Sequence, residues 1–163
     1  MCSSLKSWQA LRRDNGMVVM KFGGTSVGNA DAIQRCVEIV RSRGARKPVL
    51  VVSAVAKTTD ELVALIGASE EGDRDRAKSL IEWIVQKHLG LLNDLGLGKE
   101  KELVALVESV GEELSGWSEQ LLGQGKIENR ERDACVSWGE YLSCQIVSAA
   151  LSAQGIGGCW VDS

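Results

Sequence analysis

A six-residue apolar run, residues 17–22 (Met-Val-Val-Met-Lys-Phe), breaks on Gly23-Gly24-Thr25-Ser26 and gives way to a helical pattern. Nothing else in the chain constrains its fold as much. The run suits a buried strand and is short for a helix. Ile33, Cys36, Val37 and Val40 then recur at spacings of three and four, the stripe of an amphipathic helix. Arg41 and Arg43 fall in its last turn and Gly44 stops it. Residues 48–52 repeat the strand pattern, and Ser53, Lys57, Thr58 and Thr59 form the next loop. Asp60 opens a second helix through Leu62, Val63, Leu65 and Ile66, with Thr58 or Thr59 expected as its N-cap. Strand, loop and helix, repeated in order, predict an α/β domain with a parallel sheet core.

The middle of the chain obeys a different rule. After a charged turn over residues 70–76, Ala77, Leu80, Ile81, Ile84, His88, Leu91 and Leu95 keep nearly unbroken helical spacing, ended by Gly96 and Gly98. Leu103, Leu106, Val107, Val110, Leu114, Trp117 and Leu121 do the same. An antiparallel helical hairpin inserted into the α/β frame is expected. A last helix starts near Arg132 and Asp133, with Val136, Ile146, Val147 and Leu151 on its apolar side and Gly155 beyond it. Residues 156–161 read as a third strand.

Composition excludes several classes. With 44% hydrophobic and 25% charged residues over 163 positions, the chain is neither disordered nor collagen-like. No apolar run approaches the roughly 20 residues that cross a bilayer. The net charge is −3 with Lys and Arg scattered, so no basic stripe marks a nucleic-acid surface, and no membrane partner is expected. Five cysteines without a C-x-x-C pair, and the single His88, leave a zinc site few ligands. No metal site is assigned, and the thiols read as reduced and mostly buried, as in a cytoplasmic protein. Residues 1–16 read as a flexible extension. They contain Lys6, Arg12, Arg13 and three serines, but Asp14 and the shortness of the segment weigh against a plastid transit peptide.

Three places could carry chemistry. Lys21-Phe22-Gly23-Gly24-Thr25-Ser26 stands where a strand gives way to a helix. The glycines let the backbone approach a ligand and aim N–H groups at it. A helix N-terminus adds a partial positive charge, Lys21 a full one, and Thr25 and Ser26 add hydroxyls. That is a toolkit for phosphate, though the lysine precedes the glycines and the pattern is not a Walker A loop. Lys21, inside an apolar strand end, is expected to be buried and so to need an anionic partner. Ser53, Thr58 and Thr59 follow the second strand, so both strand ends should open on one crevice, where open parallel sheets bind ligands. Glu140, beside Gly139 inside a predicted helix, offers a carboxylate to an ammonium group where something approaches the backbone closely. Read alone, each has a bland alternative: a plain turn, a helix cap, a solvated helix residue. His88 reads as a half-buried, satisfied histidine, and the five tryptophans as core or edge packing.

Together these residues resemble a family. Val19-Met20-Lys21-Phe22-Gly23-Gly24-Thr25-Ser26-Val27 resembles the opening motif of aspartate kinases. Val51-Val52-Ser53-Ala54 with Thr59-Asp60-Glu61-Leu62 resembles their second motif, and Val136-Ser137-Trp138-Gly139-Glu140-Tyr141-Leu142-Ser143 their third. Residues 155–162 resemble the strand that follows, so the likeness covers residues 17–163. The resemblance implies the amino-acid-kinase fold, an αβα sandwich, of which residues 17–163 form the N-terminal, amino-acid-binding part. It implies transfer of the ATP γ-phosphate, with Mg2+ accompanying ATP and no tightly bound cofactor, to the side chain of L-aspartate. The acyl phosphate formed enters lysine, threonine, methionine and isoleucine synthesis. By the same resemblance Lys21 is catalytic and stabilises the moving phosphoryl group. Gly23, Gly24, Thr25 and Ser26 join it on the phosphates, while Ser53, Thr59 and Glu140 hold the aspartate, Glu140 by its ammonium. The complete family enzyme is expected to be oligomeric. Its second glycine-rich loop, nucleotide half and regulatory ACT domains have no counterpart in these residues. The 163 residues alone are therefore expected to lack activity, to bind ATP weakly or not at all, and to self-associate. A kinase for another amino acid and a non-catalytic binding or assembly module are the alternatives.

Overall fold

The computed structural model describes residues 16–122, 126–158 and 160–161. The expected extension over residues 1–16 falls outside them except for Gly16. Strand β1 (Val19–Phe22) and strand β2 (Val49–Val52) pair in parallel, Val19 opposite Val49 and Phe22 opposite Val52. Between them runs helix α1 (Ala30–Ser42), as a parallel pair requires. The Asn29 side chain caps α1 by accepting from the Ala32 amide at 2.9 Å. Helix α2 (Thr58–Glu71) leads through Gly72, in the left-handed conformation at φ 76°, and Asp73, whose side chain caps the next helix at the Arg76 amide. The expected charged turn is thus only these two residues.

Helices α3 (Arg74–Asp94) and α4 (Lys101–Leu121) form the predicted hairpin. Gly96, at φ 75°, turns the chain between them. The hairpin packs on α2, where the Ser69 and Ser118 hydroxyls meet at 2.7 Å in the interior. Helix α5 (Asn129–Ala153) begins in a capping box of Glu128 and Glu131 and lies against α1, α2, α4 and β2. Glu70 fixes its entry by accepting from the Ile127 amide and from Arg132. No helix among the described residues is long and apolar enough to cross a membrane.

One core runs through these helices, with Ile33, Leu62, Leu65, Leu92 and Ile146 fully buried. It meets the sheet on one face only. Met20, Phe22, Leu50 and Val52 pack on it, whereas Val19, Lys21, Val49 and Val51 are exposed, as the two-residue period of a strand dictates. The third strand expected over residues 156–161 is not formed at 156–158 or 160–161, and residue 159 lies outside the described residues. The sheet of the described residues has two strands, and Gly157 and Gly158 inside the expected segment are poor strand formers. Ile156 instead donates its amide to Leu151 after Gly155 turns the chain, and Trp160 sets its ring edge-on to Tyr141 at 5.7 Å.

Candidate active site

The carboxyl ends of β1 and β2 carry the first two motifs side by side. The Ser53 amide donates to the Phe22 carbonyl at 3.0 Å, extending the ladder one residue past the last pair. From there Gly24–Val27 coils into one 3-10 turn, closed by the Ser26 amide on the Gly23 carbonyl at 2.8 Å. The turn lies on the β2–α2 loop. A Cβ added at Gly24 would stand 3.0 Å from the Ala54 carbonyl oxygen, and one at Gly28 3.0 Å from the Ala56 Cβ. At Gly23 the same position is open space. Glycine is therefore required at 24 by a neighbour and leaves an open approach at 23. The buried thiol of Cys36 donates to the Ser26 carbonyl at 3.1 Å and ties the turn to α1; burial raises its pKa and keeps it protonated.

Helix α1 starts at Ala30, beyond this turn, and Asn29 already occupies its Ala32 amide. The N-terminal end of α1, expected to add positive charge to the turn, is accordingly set back from Gly23 and Gly24 by the 3-10 turn and Gly28-Asn29. Lys21 also departs from expectation. It is exposed, on the uncovered sheet face opposite Val51, because strand alternation sends Phe22 inward and its neighbour outward. The apolar residues around Lys21 in sequence belong to both faces, which is why the run suggested burial.

Neither threonine caps α2. Lys57 holds the N-cap position at φ 70°, with no side-chain cap bond. Thr58 is the first helical residue, fully buried, and its hydroxyl has no partner among the described residues. Thr59 is half-buried. A non-glycine residue in the left-handed region stores strain, which is commonest at functional loops. Here it bends the chain between Ser53 and Thr59.

Helix α5 delivers the third motif to the same loop. Gly139 is buried, and a Cβ there would stand 2.9 Å from the Ala54 Cβ, 3.3 Å from Leu62 and 3.4 Å from Thr58. This is the close approach that justifies glycine in a helix interior, which otherwise loses about 1 kcal/mol against alanine. The next residue, Glu140, is half-buried, and its Oε1 accepts from the Ala54 amide at 3.4 Å. Thus Gly24, Ser53, Ala54 and Glu140 share one corner, with the Thr25 and Ser26 side chains exposed at its rim. The Lys21 side chain lies on the exposed sheet face below. Residue spacing alone did not point to Ala54; its place between a strand end and a glycine of another helix is a tertiary fact.

His88 belongs to the core. It is fully buried, not half-buried, with its Nδ1–H donating to the Ile84 carbonyl at 2.7 Å and Nε2 unpartnered among the described residues. Burial lowers its pKa and keeps the ring neutral. Cys135 is likewise inert, its thiol pushed up to about 12 by burial. A separate groove of about 560 Å³ opens between α4 and α5, lined by Leu103, Leu106, Tyr141, Gln145 and Ser148 among others, and shares none of the candidate site residues.

The described sheet is parallel, is covered by helices on one face, and has the loops of the first two motifs at its carboxyl edge, the edge where open α/β sheets bind ligands. Residues 16–163 match the profile of the amino acid kinase family, and the chain belongs to that family. Relatives it resembles include aspartokinases and bifunctional aspartokinase/homoserine dehydrogenases. It is 30% identical over 140 residues to aspartokinase 3, chloroplastic, of Arabidopsis thaliana, covering 84% of this chain and 24% of that protein. It is 28% identical to bifunctional aspartokinase/homoserine dehydrogenase 1, chloroplastic, of the same plant, over 94% of this chain and 17% of that one. Among solved structures, E. coli aspartokinase III in complex with lysine and aspartate superposes with a TM-score of 0.75 at 26% identity, covering 88% of this chain and 30% of that one. The same enzyme with aspartate and ADP gives 0.70 at 28% identity, covering 85% and 29%. The chain thus spans less than a third of the length of each of these proteins.

Proposed function

We propose that the chain is the aspartate-binding part of an aspartate kinase, which moves the ATP γ-phosphate to the side-chain carboxylate of L-aspartate as the entry to lysine, threonine, methionine and isoleucine synthesis. The observation that carries the reading is the convergence of Ser53, Ala54 and Glu140 at one corner, beside the glycine turn that ends β1. In this reading Glu140 receives the substrate ammonium, and Ser53 and Thr59 supply hydroxyls to it. A phosphate fits the turn: Gly23 leaves the approach open, and exposed Thr25, Ser26 and Lys21 offer donors and charge. Mg2+ would accompany the nucleotide and neutralise charge on its phosphates.

The reaction asks little covalent chemistry of the protein. A carboxylate oxygen of aspartate bonds to the γ-phosphorus as the bond from that phosphorus to the β,γ-bridging oxygen breaks, giving an acyl phosphate and ADP. Positioning and charge stabilisation dominate such transfers. Lys21, exposed on the sheet face, is assigned to the phosphoryl charge. The uncovered sheet face with Val19, Val49 and Val51 supports a second, narrower reading, a module whose sheet is completed by other polypeptide. The chloroplastic names of the relatives favour a plastid over the cytoplasm expected from the reduced thiols.

Calorimetric titration of L-aspartate into the chain and into Glu140→Gln tests the reading. The substitution should weaken binding by about 1.5–3 kcal/mol, the worth of a hydrogen bond to a charged group. Equal affinity in both proteins would remove Glu140 from the site.

A further inference from the structure

We propose that Gly139 is a positioning residue: by lacking a Cβ it sets the depth at which α5 meets the β2–α2 loop, and so holds the Glu140 carboxylate on the Ala54 amide. The inference deepens the aspartate reading, but its test makes no use of aspartate.

The geometry leaves little slack. The Cβ that any other residue would carry at 139 meets three side chains, those of Ala54 at 2.9 Å, Leu62 at 3.3 Å and Thr58 at 3.4 Å. All three residues are buried, at 3%, 0% and 0% exposure, so none can swing into solvent to make room. Close-packed interiors answer such overfilling by shifting elements. The element that shifts is α5, and it carries Glu140. The bond from the Ala54 amide to Glu140 Oε1 is already 3.4 Å long, past the usual range of about 2.7–3.2 Å, and by about 3.6 Å no such bond remains. A retreat of a few tenths of an ångström therefore breaks it.

The loop has its own reason to depend on this bond. Ala54 lies between Ser53, stitched to the Phe22 carbonyl, and the strained Lys57. The Ala54 Cβ is what Gly139 accommodates, while the Ala54 amide is what Glu140 holds. One residue is thus gripped by two consecutive positions of α5. With Oε1 engaged, Oε2 has no hydrogen bond among the described residues and remains for a cationic ligand group. Gly139 acts on that ligand only through Glu140.

Two-dimensional 15N–1H NMR of the intact chain across pH 3–7 reads the bond directly. An amide donating to a carboxylate shifts when the carboxylate is protonated. The Ala54 amide should titrate in the wild type and stop titrating in Glu140→Gln. In Gly139→Ala the excursion should fall to less than about a third while the sheet amides of β1 and β2 keep their positions. Removing the opposing methyl group in the double variant Ala54→Gly/Gly139→Ala should restore the titration at position 54. A full titration at Ala54 in Gly139→Ala overturns the proposal, as does a wild-type amide that does not respond. Should Gly139→Ala fail to fold, the double variant decides: folded and titrating supports the proposal, while unfolded, or folded without titration, overturns it.

Discussion

The Ser53 amide donates to the Phe22 carbonyl at 3.0 Å, so the two loops that leave the carboxyl edge of the sheet start from one hydrogen bond. Beyond it they separate, one into the Gly24–Val27 turn and the other through Lys57 into α2. The first two motifs leave from this junction, and α5 brings the third to it.

Lys57 holds φ 70°, where a side chain costs roughly 1–2 kcal/mol relative to right-handed backbone. Glycine removes that strain and gives back about 0.5–1 kcal/mol through the looser unfolded chain. Lys57→Gly should therefore stabilise the chain by up to about 1 kcal/mol, a Tm rise of about 2–4 °C for a chain of this size. Lys57→Ala, which removes the charge and keeps the strain, separates the backbone effect from repulsion with Lys87. Scanning calorimetry of both variants reads the difference, and a larger gain in the alanine variant would contradict the strain account.

His88 makes stability depend on pH. Burial lowers its pKa from the ordinary 6.5, the hydrogen bond to the Ile84 carbonyl offsets part of that drop, and the neighbouring Lys87 charge adds a smaller lowering. Below pH 6.5 the unfolded chain takes up a proton that the folded chain refuses, so stability falls as pH drops. The added slope is at most about 1.4 kcal/mol per pH unit, one proton's worth. Urea denaturation between pH 7.5 and 5.5 should show this slope in the wild type and a shallower one in His88→Leu. Parallel pH dependences would place His88 in contact with solvent.

The parts of this fold that were legible in sequence are those decided by period. Ile33, Cys36, Val37 and Val40 announced α1, and the long stripes of α3 and α4 announced the hairpin. Two parallel strands followed from apolar runs separated by a helix. Gly139 was legible as a close approach because glycine inside a helix needs a reason. What escaped was set by partners distant in sequence. Lys21 looked buried because its apolar neighbours were counted together, although Val19 and Lys21 share the uncovered face. A threonine cap was expected on α2, but the left-handed Lys57 enters the helix instead and leaves Thr58 inward. The third strand was read from Ile156, Trp160 and Val161, although Gly157 and Gly158 between them weaken a strand. No spacing rule connects Ala54 to Gly139 across 85 positions.

Lys21 separates stability from chemistry. An exposed side chain away from caps and cores changes stability by no more than about 0.5 kcal/mol when truncated. Lys21→Ala should keep the wild-type Tm within about 2 °C and L-aspartate affinity within about twofold, because its assigned work is on the phosphoryl group. Loss of several kcal/mol in urea denaturation would show that the lysine supports the fold.

The place where L-aspartate binds decides whether this corner is the substrate site. Titration of L-aspartate into the 15N-labelled chain, followed amide by amide, should move Ser53, Ala54, Thr59 and Glu140 together with a single saturating curve. The amides lining the groove between α4 and α5, among them Leu103 and Gln145, should stay still. Shifts confined to that groove, or no saturable shift at the four positions, would contradict the assignment of this corner as the aspartate site.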